Sequence, residues 1–174
     1  MCWFIFSEVC FFGAFFGALF FSRYWTIPLL RGEMHPITHI TLWPDFKSLW
    51  PMLTNPNNQT FVGAYEAMGA WGLAAINTLL LLTSGVTITW AHWALKLNKR
   101  RQLEIGLFLT IALGVVFLIL QAYEYHEAYT ELNLTLDAGI YGTTFFMLTG
   151  FHGLHVTIGT IMLIVILIRS LRGH

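Results

Sequence analysis

The sequence predicts an all-α membrane protein, a bundle of four transmembrane helices forming a single transmembrane domain over residues 1–174. Apolar residues make up 56% of the chain and charged residues only 10%, whereas soluble domains carry about 25% charged residues. The apolar residues fall into four runs, each close to or above the roughly 20 residues that cross a bilayer as a helix. Nine basic residues balance nine acidic ones, and this balance argues against nucleic acid as a partner.

The first predicted helix covers about residues 3–22 and contains one carboxylate, Glu8, within an aromatic-rich run. Gly13 and Gly17 form a GxxxG pattern, which favours contact with another helix. A lone carboxylate in a membrane is costly unless it is neutral or paired. Two interpretations of Glu8 stay open: a proton-handling or lipid-contacting group, and a packing group that is hydrogen-bonded to another helix.

Residues 23–65 are predicted to form a long extramembrane loop. This stretch contains all five prolines of the chain, and proline removes a backbone donor and disfavours helix before it. Trp25, Trp43 and Trp50 indicate that the loop lies along the lipid headgroups, where indole rings are favoured.

The second and third predicted helices cover about residues 66–95 and 103–126 and are joined by a basic turn. This turn and the C-terminal tail hold six of the nine Lys and Arg residues: Lys96, Lys99, Arg100, Arg101, Arg169 and Arg172. The positive-inside rule therefore places both termini in the cytoplasm, or in the matrix of an organelle. Gln121, Glu124 and Glu127 recur every three residues on the third helix, either as a polar stripe facing a partner or as a solvated helix end.

The fourth predicted helix covers about residues 139–169 and carries no charge before Arg169. His152 and His155 lie near its middle at i, i+3 spacing and share one helix face. Imidazoles bind Zn, Cu and Fe, but other ligands at matching depth are few, so hydrogen-bonded histidines without a metal are favoured. Because Glu8 also needs a partner, we expect its carboxylate to bond one of these two imidazoles.

Arg169 lies at the predicted inner headgroup level. A guanidinium there either holds a lipid phosphate bidentately or serves as a positive-inside anchor. The sequence contains no phosphate-binding loop, CxxC, nucleophile elbow or HExxH motif. No active site is therefore predicted in this chain.

Four stretches resemble subunit III of haem–copper oxidases, of the bacterial cytochrome c oxidase type. They are SEVCFFGAFFGALF (7–20), NTLLLLTSGVTITWAHWAL (77–95), LQAYEYHEAY (120–129) and GIYGTTFFMLTGFHGLHVTIG (139–159). Together with LWPDFKSLWP (42–51), they cover most of the chain in the order found in the family.

This resemblance implies an accessory subunit of a proton-pumping oxidase in aerobic respiration, without haem or copper of its own. Subunits I and II, which carry those cofactors, and phospholipids are the implied partners, with roles in proton uptake and turnover stability. Glu8 matches the family's buried glutamate, and His152 and His155 match the histidines of its sixth helix. Arg169 matches a basic residue associated with lipid headgroups.

The chain matches only the third to sixth of the family's seven helices. We therefore expect either a fragment or a second chain that supplies the remaining helices, in the bacterial plasma membrane. The alternatives are subunit III of a quinol oxidase, a subunit-III-like accessory protein of nitric oxide reductase, and a stand-alone transporter or channel.

Overall fold

The computed structural model describes residues 2–44, 46–47, 49–57, 59–69 and 71–172, and within these ranges the chain is helical and contains no β-strand. The helices are α1 (Cys2–Phe21), α2 (Ile27–Arg31), α3 (Pro36–Leu42), α4 (Leu73–Lys96), α5 (Arg100–Thr130) and α6 (Ile140–Leu171). A π-helical turn, Ser22–Thr26, connects α1 to α2.

Four helical stretches of the described chain are long and apolar enough to cross a membrane. They are Cys2–Arg31 with 30 residues, Leu73–Lys96 with 24, Arg100–Thr130 with 31 and Ile140–Leu171 with 32. Each exceeds the roughly 20 residues that a bilayer requires. The prediction of an all-α membrane protein with four spanning helices is confirmed.

The first helix ends at Phe21, within one residue of its predicted end at 22, but the predicted start of the following loop is wrong. The helical path continues through the π-turn into α2, which contains Pro28 in its first turn. Gly32 ends α2 with a φ of 85°, a left-handed conformation that favours glycine. The predicted loop over residues 23–65 thus begins only after Arg31, and it contains the short helix α3.

The predicted start of the second helix at residue 66 is also wrong, because α4 begins at Leu73. Gly72 immediately precedes it with a φ of 138°, which is incompatible with a continuous helix. The third helix is longer than the predicted 103–126, since α5 runs from Arg100 to Thr130.

The contacts divide the chain into two compact units. The first comprises residues 1–68 and 127–152, and the second comprises residues 69–126 and 153–174. In the first unit, the long loop and α2 share a small apolar core of Ile27, Phe46 and Met52. The loop is also tied to the α5–α6 connection, because Asn55 Nδ2 donates to the Ala138 carbonyl at 3.2 Å.

In the second unit, α4 and α5 meet along an antiparallel seam. The hydroxyl groups of Thr87 and Thr110 are 2.7 Å apart. Gly106 packs so closely that a Cβ added there would lie 2.8 Å from the Ala91 Cβ. Small residues therefore bring these helices together, as is common in membranes.

The GxxxG face predicted on the first helix makes no such contact within the described chain. A Cβ added at Gly13 or Gly17 meets no atom within 4 Å, and the same holds for Gly153 and Gly159. Close approaches to another spanning helix are found instead at Gly106 and at Gly114, where an added Cβ would be 2.9 Å from Thr160 Oγ1 on α6.

Candidate functional site

The candidate site begins on one face of α1. Glu8, Phe11, Phe12 and Phe15 follow the i, i+3, i+4, i+7 spacing that places side chains on the same face of a helix. All four are half-buried, whereas Gly13 and Gly17 are exposed. The charged residue of α1, Glu8, therefore lies on the side of the helix that packs within the first unit.

Glu8 pairs with His152 of α6. The Glu8 Oε1 and His152 Nδ1 atoms form a hydrogen bond, and the two side chains are 24% and 27% exposed, respectively. Which atom donates depends on the imidazole tautomer and on the protonation of the carboxyl group. In either arrangement one proton lies between the carboxylate oxygen and the ring nitrogen.

Aromatic rings lie beside this pair. The Phe12 ring meets the His152 imidazole edge-on, with centroids 5.6 Å apart and planes at 77°. The Phe11 ring lies 4.7 Å from that of Phe151 and 4.7 Å from that of Phe15. An apolar shell raises the cost of a lone charge and strengthens a hydrogen bond that satisfies both groups.

The pairing of Glu8 with one of the two imidazoles, expected from the sequence, is thus confirmed, and the partner is His152. His155 lies three residues further along α6 and is also half-buried. The two histidines share a helix, but only His152 belongs to the pair with Glu8.

Arg169 lies in the last turn of α6 with its side chain exposed. A neighbouring feature was not anticipated from the sequence: the Arg100 guanidinium donates to the Ser170 carbonyl. Arg100 therefore satisfies a carbonyl at the end of α6, where the last carbonyls have no partner inside the helix. The charge of the basic turn was visible in the sequence, but this contact was not.

The polar stripe of Gln121, Glu124 and Glu127 on α5 is partly buried. Glu124 is only 6% exposed, so a solvated helix end is the wrong interpretation for this residue. Sequence reasoning also missed Asn77, which is 4% exposed and lies on the same heptad face of α4 as Ala91 and Ala94. The heptad spacing of Asn77 from these two alanines indicates that its side chain is buried.

Within the described ranges, no three His, Cys, Asp or Glu side chains are grouped so that they could hold a metal ion. The thiols of Cys2 and Cys10 are free and exposed. The polar groups that the structure places inside include the Glu8–His152 pair in the first unit and Asn77 and Glu124 in the second.

Comparison with known proteins relates this arrangement to one family. The family model described as cytochrome c oxidase subunit III matches residues 38–174. Cytochrome c oxidase subunit 3 of Hippopotamus amphibius is 44% identical over 171 residues, which are 98% of this chain and 54% of that protein. The protein of the same name from Drosophila melanogaster is 41% identical over 171 residues, again 98% and 54%.

A shorter match is more similar. Cytochrome c oxidase subunit 3 of Spodoptera frugiperda is 56% identical over 99 residues, which are 57% of this chain and 65% of that protein. The chain spans about half the length of the curated relatives that it matches almost throughout. By the extent of the family match and the identity to these relatives, the chain belongs to the cytochrome c oxidase subunit III family.

Proposed function

We propose that this chain is an accessory, non-redox subunit of a proton-pumping cytochrome c oxidase and packs on its catalytic subunit. Membership of the subunit III family and the names of the relatives support this proposal. Oxidation of cytochrome c and reduction of oxygen to water then take place in subunits I and II, which hold the haem and copper. This chain contributes no active site of its own.

The observation that carries the proposal furthest is the hydrogen bond between Glu8 and His152. Ionisable groups at membrane depth are costly and are usually functional. A packing role alone is served more cheaply by apolar side chains, because both groups must be desolvated. We propose that the pair fixes α1 against the first half of α6 and keeps one exchangeable proton in the membrane, so that it supports proton uptake and stability during turnover.

Phospholipid is the second proposed ligand class. Large apolar side chains on the spanning helices are exposed, for example Trp3 at 83% and Val86 at 70%. The exposed guanidinium of Arg169 lies at the end of α6, where it can donate two parallel hydrogen bonds to a lipid phosphate.

The orientation follows from charge. Six of the nine Lys and Arg residues occupy the α4–α5 turn and the end of the chain after residue 168, so the positive-inside rule places both termini on the inner side. The membrane proposed is the bacterial plasma membrane or its organellar counterpart, the mitochondrial inner membrane. Animal relatives such as those from Hippopotamus amphibius and Drosophila melanogaster support the second.

Among the alternatives, the names of the relatives favour a cytochrome c oxidase over a quinol oxidase or a nitric oxide reductase. The first test is to purify the chain from native membranes in a mild detergent, record an optical spectrum and identify every co-purifying protein. Haem a bands together with oxidase subunits I and II would support the proposal. A colourless preparation without those subunits would refute the accessory role.

The role of the pair needs a separate test in the assembled oxidase. Glu8→Gln keeps the size of the side chain but removes its charge, and we expect slower proton uptake and faster inactivation during turnover. Ser7→Ala is the matched control, because Ser7 is exposed and its hydroxyl bonds only the nearby Phe4 carbonyl. If both variants behave like the wild type, the pair serves packing alone.

A further inference from the structure

Two amide side chains in the second unit, the buried Asn77 and the half-buried Gln121, carry inaccessible polar atoms without hydrogen-bond partners. Within the described part of the chain, Asn77 Nδ2 and Oδ1 and Gln121 Nε2 have no hydrogen-bond partner. Asn77 is only 4% exposed. Buried polar groups are almost always paired, so these three atoms point to a partner that is not a side chain or backbone group of their surroundings.

The register of α4 and α5 places the two amides at the same level. The hydroxyls of Thr87 and Thr110 are 2.7 Å apart, and they mark one layer of the antiparallel seam. Asn77 lies ten residues before Thr87, and Gln121 lies eleven residues after Thr110. With a rise of 1.5 Å per residue, both amides lie about 15 Å from that layer in the same direction.

The two amides also face the seam. Gln121 follows Thr110 by about three helical turns. It therefore lies on the same face of α5 as Thr110, which contacts α4. Asn77 precedes Ala91 by two heptads, and Ala91 packs against Gly106 of α5. Asn77 and Gln121 are therefore facing positions of one contact between two helices.

The balance of donors and acceptors defines the missing partner. The unsatisfied atoms are two amide nitrogens, each with two N–H donors, and one carbonyl oxygen. A direct bond from Gln121 Nε2 to Asn77 Oδ1 would leave Asn77 Nδ2 without an acceptor. A small neutral molecule that accepts from both nitrogens and donates to the oxygen satisfies all three atoms.

We infer that Asn77 and Gln121 hold one ordered water molecule in the seam between α4 and α5. Water accepts two hydrogen bonds and donates two, and a buried water typically makes about three hydrogen bonds to protein groups. Water brings no charge into the membrane, unlike an anion that would accept the same bonds. The buried Glu124 lies one turn beyond Gln121 on α5, so the water extends a polar layer inside the helices.

The test is a structure of the intact native assembly at a resolution that shows ordered water, for the wild type and for Gln121→Met. Methionine has a similar length but neither donates nor accepts an amide hydrogen bond. We expect an isolated density within hydrogen-bonding distance of both amides in the wild type and its loss in the variant. A direct contact between the amides, or no density there, would overturn the inference.

Thermal unfolding of the same assembly gives a second readout. It can still be measured when a variant assembles too poorly for a high-resolution structure. Asn77→Leu and Gln121→Met should each lower the midpoint temperature of unfolding. The double variant should lower it by less than the sum of the two single effects, because it removes both side chains that bind the water. Thr87→Val is the control: it removes a seam hydroxyl that already has its partner, and it should add independently to Gln121→Met. Independent effects of Asn77→Leu and Gln121→Met would contradict a shared water.

Discussion

Glu8 on α1 and His152 on α6 form a hydrogen bond across 144 residues of sequence. Each is the kind of side chain that a membrane helix excludes unless a partner is available. The bond therefore links the position of α1 to that of the first half of α6 more specifically than the surrounding phenylalanines do, because apolar contacts tolerate sliding and a hydrogen bond does not.

The first prediction is that Glu8 and His152 are energetically coupled. In a double-mutant cycle with Glu8→Gln and His152→Phe, we expect a coupling energy of about 1–3 kcal/mol, since the bond joins two ionisable groups in apolar surroundings. The measurement is the free energy of unfolding in detergent or lipid. The control cycle replaces His152→Phe by His155→Phe and should be close to additive; equal coupling in both cycles would contradict the assignment of His152 as the partner.

Much of this pair was predictable from the sequence, and the reason is physical. Glu8 is the one carboxylate in the first apolar run, and His152 and His155 are the imidazoles of the last, so the cost of burying each group limits the partners to these few. The choice between the two histidines was not predictable. At i, i+3 spacing they share a face, and only the rotation and height of α6 relative to α1 decide which one meets Glu8.

The features missed by the sequence are of two kinds. The first is backbone conformation: the π-turn Ser22–Thr26 carries the helical path beyond α1 into α2, and Gly72, with a φ of 138°, precedes an α4 that starts seven residues later than predicted. The second is burial. Asn77 lies four residues after the start of α4, where an amide is ordinarily solvated, and only its place in the heptad indicates otherwise.

A second prediction concerns the close packing at Gly106. Gly106→Ala should destabilise the protein by about 1–3 kcal/mol, because the new Cβ would lie 2.8 Å from Ala91 Cβ and 3.2 Å from its Cα. Gly85→Ala is the matched control on α4, where an added Cβ meets nothing within 4 Å. That variant should be neutral or more stable by about 0.5–1 kcal/mol, the usual preference for alanine in a helix. Similar losses in both variants would argue against a close contact at Gly106.

A third prediction concerns the end of α6. Arg100→Ala removes the guanidinium that donates to the Ser170 carbonyl, and we expect a loss of about 0.3–1 kcal/mol together with fraying of the last turn. Hydrogen–deuterium exchange of the amides at 168–172 measures this effect directly. Arg101→Ala removes an equal charge from the next, exposed position and should leave the exchange rates unchanged. Faster exchange in both variants would indicate an effect of net charge instead of the specific bond.

A fourth prediction tests the anchoring of the long loop. The Asn55 amide donates to the carbonyls of Phe61 at 3.0 Å and Ala138 at 3.2 Å. Asn55→Ala should cost about 1–3 kcal/mol and expose the loop to limited proteolysis. Asn57→Ala is the control, because its side chain only accepts from the Thr60 amide at 3.3 Å, and it should change stability by less than about 0.5 kcal/mol.

The fifth prediction is a pH dependence at the α5–α6 connection. The Thr135 hydroxyl donates to Asp137 Oδ1 at 2.6 Å, and this bond, followed by a backbone N–H, lowers the pKa of the Asp137 carboxyl below its ordinary value of 3.8. A carboxyl with a lowered pKa stabilises the fold above the ordinary pKa, and this contribution disappears as the pH falls through the lowered value. Thr135→Val should raise the pKa of Asp137 towards 3.8, as measured by the carbon-13 shift of its carboxyl group during titration. Thr143→Val is the control, because it removes a hydroxyl that bonds the Leu136 carbonyl instead, and it should leave the pKa of Asp137 unchanged. An equal change of this pKa in both variants would show that the Thr135 hydrogen bond does not lower it.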